Sequence, residues 1–205
     1  RYLRMRQAAP RQWKNEWILF SDFVIPAIKA STGKWRKAFF PYDSGGKPID
    51  KNLIFGKPAL ADYLESHKRD LLKGDDESAR PFWYLYGRTQ ALKDVAFDKL
   101  AINTTIKDIK SIKINYAPAG TGLYSGLYIL FNIDFEFIKS LLLSEDFIRY
   151  VASLKKYKSG GYYTYNSKDL EIYLNATINT HVKNGIIQIP LIDECRVSAS
   201  SRAFI

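Results

Sequence analysis

The sequence of 205 residues contains one cysteine, one methionine and two histidines. The single Cys195 excludes a disulfide within the chain and a zinc site made of several cysteines. Neither His67 nor His181 has a second candidate ligand at a spacing typical of metal sites. The longest purely apolar runs, residues 82–86 and 127–131, are far too short to cross a bilayer. No signal-peptide pattern opens the chain, so we expect a cytoplasmic protein without membrane contact.

Motifs of several enzyme classes are also missing. Gly33-Lys34 and Gly46-Lys47 lack the earlier glycine and the following serine or threonine of a phosphate-binding P-loop. Ser125 precedes a glycine but is not framed as Gly-x-Ser-x-Gly, which excludes the nucleophile elbow of hydrolases. No close pair of acids stands beside a lysine at the spacing found in nucleases. The acidic run Asp75-Asp76-Glu77 is typical of a solvated loop. We therefore expect no catalytic residue in this chain.

Positive charge is in large and uneven excess. The chain has 31 Lys+Arg against 21 Asp+Glu, a formal net charge of +10. Residues 1–58 hold 12 of these basic residues and only 4 of the acidic ones. A basic segment of this kind favours an anionic partner such as nucleic acid. A solvated basic face beside ordinary core aromatics is the alternative.

Aromatic residues alternate with cations inside this basic segment. Lys34 and Arg36 flank Trp35, and on a β-strand both cations face one side while the ring faces the other. That arrangement suits the wall of a charged groove with core behind it. We therefore take Lys34 and Arg36 as candidate contacts to DNA phosphates.

Hydrophobic periodicity and turn residues predict an α+β fold, with a mixed, mostly antiparallel β-sheet core and a few packed helices. A helix is expected over Pro58–Lys73, a second after the capping residue Asp134, and a third after Ser144. The last ten residues are expected to be weakly structured. Strands are predicted in residues 18–28, 36–42, 82–86, 99–106, 111–116, 123–131 and 186–189.

A basic, glycine-hinged loop with several tyrosines follows the third predicted helix. Lys155, Lys156 and Lys158 stand beside Gly160 and Gly161. Such a loop can bind phosphates through its lysines and its backbone amides. A loop that is merely solvated is the alternative.

The segment Trp-Tyr-Leu-Tyr-Gly-Arg-Thr-Gln-Ala-Leu, residues 83–92, resembles a motif of a known family. The family is the carboxyl-terminal target-recognition domain of Taq-type adenine-specific DNA methyltransferases, which belong to restriction–modification systems. Other stretches fit the family in order, and together they cover about residues 15–178. They are the strand 39–42 with its glycine turn, the helix 63–72, the central strand 123–126, the helix pair 141–147 and the glycine loop 159–162.

The resemblance implies a domain organisation and a division of labour. Residues 1–14 would be an extension from an upstream catalytic region, 15–190 the DNA target-recognition domain, and 191–205 a tail that matches nothing in the family. The chain begins with Arg1 and lacks the paired prolines of amino-methyltransferases. We therefore expect a fragment that binds double-stranded DNA and holds no cofactor. The methyltransferase domain of the same polypeptide would use S-adenosylmethionine, with or without a fused restriction endonuclease.

The resemblance also singles out residues for base contact. Arg88 and Gln90 lie two positions apart in the tryptophan motif. Arginine can grip guanine or phosphate with two hydrogen bonds, and glutamine can do the same with adenine. Tyr124 of the central strand is a further candidate, although a strand tyrosine is more often buried. The alternative for Arg88 is a turn in which it pairs with an acid.

Two other functions are compatible with the sequence. One is a basic protein-interaction or assembly module without base-specific DNA contacts, which would dock an acidic partner. The other is a nucleic-acid hydrolase with scattered acidic ligands, for which the chain offers no cluster at a suitable spacing.

Overall fold

The computed structural model describes residues 22–72, 75–86, 91–131, 133–184 and 196–199. Within these ranges the chain forms ten strands and six helices. The strands are β1 (Val24–Lys29), β2 (Lys34–Phe39), β3 (Lys99–Ile102), β4 (Thr105–Ile106), β5 (Ile114–Ala117), β6 (Gly122–Ser125), β7 (Leu127–Leu130), β8 (Tyr157–Lys158), β9 (Tyr162–Thr164) and β10 (Arg196–Ala199). The helices are α1 (Lys51–Phe55), α2 (Pro58–Ser66), α3 (Lys68–Leu72), α4 (Phe135–Leu142), α5 (Glu145–Ser153) and α6 (Ser167–Lys183).

The strands form three small sheets, in the orders β2-β1-β6, β10-β7-β3-β5 and β4-β9-β8. Only β1 and β6 pair in parallel among the described strands, and all other pairs are antiparallel. The predicted α+β class with a mostly antiparallel core is confirmed. The predicted single strand over 123–131 is divided into β6 and β7, which belong to different sheets.

Gly126 makes that division. Its φ is +94°, in the region that favours glycine. A Cβ at this position would lie 2.5 Å from the Cβ of Ala30 and 2.6 Å from the carbonyl oxygen of Ile102. The chain can therefore pass from the first sheet to the second only where residue 126 has no side chain.

The main hydrophobic core lies between the four-stranded sheet and helices α4, α5 and α6. Ile129 of the sheet, Phe147 of α5 and Leu174 of α6 are fully buried in it. The two predicted helix starts are confirmed, because Asp134 accepts the Phe137 N–H at 2.9 Å and Ser144 accepts the Phe147 N–H at 3.2 Å. Sequence patterning did not predict α6.

A second, aromatic core lies under the predicted strand 82–86, and here the strand prediction is wrong. Residues 82–85 form turns, with the Leu85 N–H donating to the Phe82 carbonyl at 2.9 Å. Trp83 packs edge-on against Phe55, with ring centroids 6.1 Å apart. It is buried with Leu64 of α2. The rings thus pack onto helices, where the alternating pattern had indicated strand pairing.

Two other elements are shorter than predicted, because side chains compete for backbone groups. The helix expected over 58–73 breaks at His67, whose Nδ1 lies 2.9 Å from the Tyr63 carbonyl oxygen. The Ser66 hydroxyl donates to that same carbonyl at 2.7 Å. The strand expected over 99–106 breaks at Asn103, whose amide donates to the Thr105 and Ser111 carbonyls at 2.7 and 3.0 Å.

The carboxyl-terminal predictions have mixed outcomes. The last ten residues were expected to be weakly structured, yet β10 pairs antiparallel with β7 within that stretch. This part of the prediction is wrong, because the pairing partner is distant in sequence. The strand expected over 186–189 lies outside the described residues.

Lys99 at the start of β3 makes stability depend on pH in the alkaline range. Its ammonium is buried and donates to the carbonyls of Asp94 and Phe97, each at 2.8 Å. Burial lowers the pKa of Lys99 from 10.5 to about 8, although Asp94 and Asp98 oppose the shift. The unfolded chain therefore binds more protons than the folded chain between these pH values, and stability rises with pH across that window.

We expect the free energy of unfolding of the natural chain, relative to the Lys99→Met variant, to increase from pH 8 to pH 10. Chemical denaturation at both pH values measures it, and the tyrosine titrations common to both chains cancel in the difference. A difference that does not change with pH would contradict a lowered pKa for Lys99.

Candidate nucleic-acid interface

The β1–β2 hairpin presents cations on one face, as its alternation predicts. Across the antiparallel pair, Lys34 lies opposite Lys29 and Arg36 lies opposite Ala27. Trp35 lies opposite Ile28 on the other face. The ring does not supply the core behind the cations, since Trp35 is 48% exposed and Ile28 is fully buried. The reason is that β2 is the outer strand of its sheet.

The hairpin's cations carry uncompensated charge. In the part of the chain that the structure describes, no carboxylate forms an ion pair with Lys29, Lys34, Arg36 or Lys37. Lysines on an outer strand also discourage pairing with other chains. That role needs only scattered charge, whereas four unpaired cations on one hairpin beside an exposed indole also suit phosphate and base contacts.

A second group of lysines, which sequence reasoning missed, follows β4. Lys107, Lys110 and Lys113 are all exposed and stand at a regular spacing of three. They surround a 3-10 turn in which the Asp108 carboxylate accepts the Ser111 N–H at 2.8 Å. We call residues 107–113 the lysine turn. Its regular spacing was visible in the sequence and would have identified it.

The lysine turn lies close to the β8–β9 hairpin, and the strand that follows the turn lies close to the β1–β2 hairpin. A Cβ added to Gly33, at the tip of the β1–β2 hairpin, would lie 3.1 Å from Oδ1 of Asn115, just beyond the turn. A Cβ added to Gly161, between β8 and β9, would lie 3.6 Å from Cε of Lys107. The three segments therefore lie near one another, the first of them through Asn115 of β5. We call them together the basic band: residues 29–37, 107–113 and 155–162.

The predicted glycine loop is a hairpin in the structure. Tyr157 pairs with Tyr163 and Lys158 with Tyr162. Gly160 and Gly161 have φ values of +76° and +74°, so the turn itself requires glycine. Both are exposed, as are Lys155 and Lys158. Neither of these two lysines forms an ion pair with another described residue.

Lys156 differs from its neighbours because it has a partner within the chain. Its ammonium donates to both carboxylate oxygens of Asp169, at 2.8 and 2.6 Å. Asp169 is 9% exposed and also accepts the Asn166 N–H at 2.9 Å in the capping box of α6. Burial raises the pKa of Asp169, but the bonds from Lys156 and Asn166 outweigh it and hold that pKa below its usual value. Lys156 therefore fastens the hairpin to α6 and is the least suited of the three lysines to bind phosphate.

We expect Lys156→Ala to lower the free energy of unfolding at pH 7 by about 1–2 kcal/mol, because it leaves a nearly buried carboxylate without its cation in a partly screened site. Lys155→Ala, one residue away and exposed, should change it by less than about 0.5 kcal/mol. Urea denaturation measures both.

The same pair gives a pH signature. The folded pKa of Asp169 is lowered, so its contribution is complete above the unfolded value near 3.8 and is lost as pH falls through the folded value. The difference in the free energy of unfolding between the natural chain and Lys156→Ala should therefore shrink in acid. If Lys156→Ala and Lys155→Ala lower the free energy of unfolding equally at pH 7, the ion pair does not stabilise the fold.

The candidate base-reading residues follow Tyr86, which hydrogen bonds hold in place. Arg88 and Gln90 lie outside the described residues. Tyr86, just before them, donates its backbone N–H to the hydroxyl of Tyr42 at 2.6 Å and its own hydroxyl to the Phe39 carbonyl. Leu92, just after them, is buried in the same cluster.

Tyr124, the remaining candidate, belongs to β6, the strand that pairs with β1. The described part of the structure gives its backbone only. Its neighbour Leu123 lies beside Ile28 of the β1–β2 hairpin, so residue 124 is on a strand adjacent to the basic band.

Comparisons with known proteins give no relative. No family model, no curated protein and no solved structure matches this chain. Among the described residues there is no group of three or more His, Cys, Asp or Glu placed to hold a metal ion. None of the described helices has both the length and the apolarity needed to pass through a membrane.

Proposed function

We propose that this chain is a sequence-specific recognition domain for double-stranded DNA, of the kind found in restriction–modification adenine methyltransferases. A catalytic domain elsewhere in the polypeptide would bind S-adenosylmethionine and transfer the methyl group. The observation that carries the proposal is the basic band, whose lysines and arginine, apart from Lys156, form no ion pair with a described residue.

The charge of the band supports binding to a polyanion. Nine cations of the band form no ion pair with a described residue: Lys29, Lys34, Arg36, Lys37, Lys107, Lys110, Lys113, Lys155 and Lys158. Asp108 is the acidic residue within these segments, and its carboxylate accepts a backbone N–H. Elsewhere several cations form ion pairs, for example Lys68 with Glu77 at 2.6 Å and Lys139 with Glu136 at 3.1 Å, whereas others such as Lys51, Lys93 and Lys168 form none with a described residue. Unpaired cations concentrated on one surface favour phosphate contacts.

The exposed lysines of the band also suit a duplex. They lie on two hairpins and a short turn, and phosphate contacts of this kind fix the register of DNA without reading its sequence. Reading bases needs further side chains. Arg88 and Gln90 follow Tyr86, whose two hydrogen bonds to the β2 region fix the point from which that segment departs.

The experiment that tests this function is selection of bound duplexes from a random-sequence DNA library by the 205-residue chain, followed by sequencing. We expect one short sequence to be enriched. Arg88→Ala should relax selection at a single base position, at a cost of about 1–3 kcal/mol there. Lys158→Ala should weaken all duplexes evenly.

The outcomes separate the alternatives. If Arg88→Ala weakens the binding of all duplexes equally, Arg88 contacts the DNA backbone and not a base. Binding without enrichment would leave a non-specific basic module, and absence of duplex binding would favour docking to an acidic protein.

A further inference from the structure

The β8–β9 hairpin carries an aromatic ring that the fold leaves uncovered. Tyr157 is 68% exposed, more than any other aromatic side chain of the described residues. Its ring is nevertheless held in place, because its centroid lies 5.6 Å from that of Tyr163 at an angle of 49°. Tyr163 in turn packs against the main core. The exposed ring is thus presented on a supported strand.

Exposed cations stand near this ring in the sequence. Lys155 and Lys158 are exposed on either side of it in sequence, and Lys107 touches the turn at Gly161. The hairpin itself is fixed to α6 by the Lys156–Asp169 ion pair. A supported ring on a hairpin that also carries free cations fits a ligand with both a flat face and a negative charge.

A nucleotide has both features, but a paired one does not expose them together. Bases inside a duplex are stacked on both faces, so an aromatic side chain can stack only on a base that is unpaired or extruded. Phosphates on either side of such a base would meet the lysines. An acidic peptide would satisfy the lysines but would leave the ring without a partner.

We propose that the β8–β9 hairpin binds an unpaired nucleotide, with its base stacked on Tyr157 and its phosphates on Lys155 and Lys158. This inference rests on the proposed function and goes beyond it, because recognition of an intact duplex needs no stacking ring. It assigns the hairpin to DNA with an opened base pair.

The test compares two duplexes of the same sequence, each labelled with one 2-aminopurine, which is either paired with thymine or placed opposite an abasic site. The natural chain should bind the duplex with the unpaired base about tenfold more tightly and should quench its fluorescence on stacking. Tyr157→Ala should abolish the preference and the quenching. Tyr157→Phe, which keeps the ring, should retain both.

A matched control is Phe97→Ala, which removes another exposed ring. Phe97 precedes the first residue of β3, whereas the hairpin pairs with β4, which follows the other end of β3. This variant should retain the preference. Equal affinity of the natural chain for both duplexes would overturn the inference while leaving duplex recognition intact. A preference that persists in Tyr157→Ala would do the same. Failure to bind either duplex would overturn both the inference and the proposed function.

Discussion

Replacing Lys107, Lys110 and Lys113 together with glutamine is expected to reduce affinity for duplex DNA on the order of a hundredfold at 0.1 M salt. Each phosphate contact that is lost removes the release of its counterions, so the slope of log affinity against log salt should flatten by about 0.9 per lysine. The lysine turn connects the segments of the basic band, since Lys107 lies near Gly161 and Asn115, just beyond the turn, lies near Gly33. Its loss therefore interrupts the surface that follows the DNA backbone.

The control removes the same charge elsewhere. Lys51, Lys139 and Lys183 lie on α1, α4 and α6, outside the band, and their joint replacement with glutamine should leave the salt slope nearly unchanged. Fluorescence anisotropy measures the affinity of both variants for duplex DNA. A series of salt concentrations from about 50 to about 200 mM gives the two salt slopes. Similar flattening in both would show that net charge matters and the band does not.

Gly126→Ala is expected to be among the most destabilising single substitutions, with a loss of about 3–5 kcal/mol. The added Cβ would meet the Ala30 Cβ and the Ile102 carbonyl oxygen at 2.5 and 2.6 Å, which forces two packed sheets apart. The residue must also hold a φ of +94°, which adds strain of its own.

Gly120→Ala is the matched control, because Gly120 has a φ of +83° but no atom within 4 Å of an added Cβ. It should lose only about 1–2 kcal/mol, the part that comes from backbone strain. Urea denaturation of both variants isolates the steric part. If the two losses are equal, the close approach at Gly126 contributes nothing to the fold.

Local signals in the sequence were reliable wherever a residue acts on its own neighbours. Asp134 and Ser144 cap helices because their side chains bond to the backbone three residues away. The alternation in β2 also holds. The predictions that were wrong concern segments with partners distant in sequence. The carboxyl-terminal strand β10 pairs with β7. Residues 82–85 form turns, and Trp83 packs against Phe55.

The candidate site shows the same division. The lysines after α5 look equivalent in sequence, yet Lys156 is held by Asp169, thirteen residues away, while Lys155 and Lys158 are not. The lysine turn has a regular pattern, but only the fold shows that Gly161 approaches Lys107 and that Gly33 approaches Asn115, just beyond the turn. Free charge and contiguity are properties of the folded chain, and single-sequence reasoning therefore named only part of the band.

The most direct test of the central claim is hydrogen–deuterium exchange of the 205-residue chain with and without a duplex of the selected sequence. The account predicts slower exchange of backbone amides in residues 29–37, 107–113 and 155–162, the three segments of the basic band. Residues in α4 and in the exposed parts of α2 should exchange as before. Protection confined to α2 or α4, with the three segments unchanged, would contradict the assignment of the basic band as the DNA-binding surface.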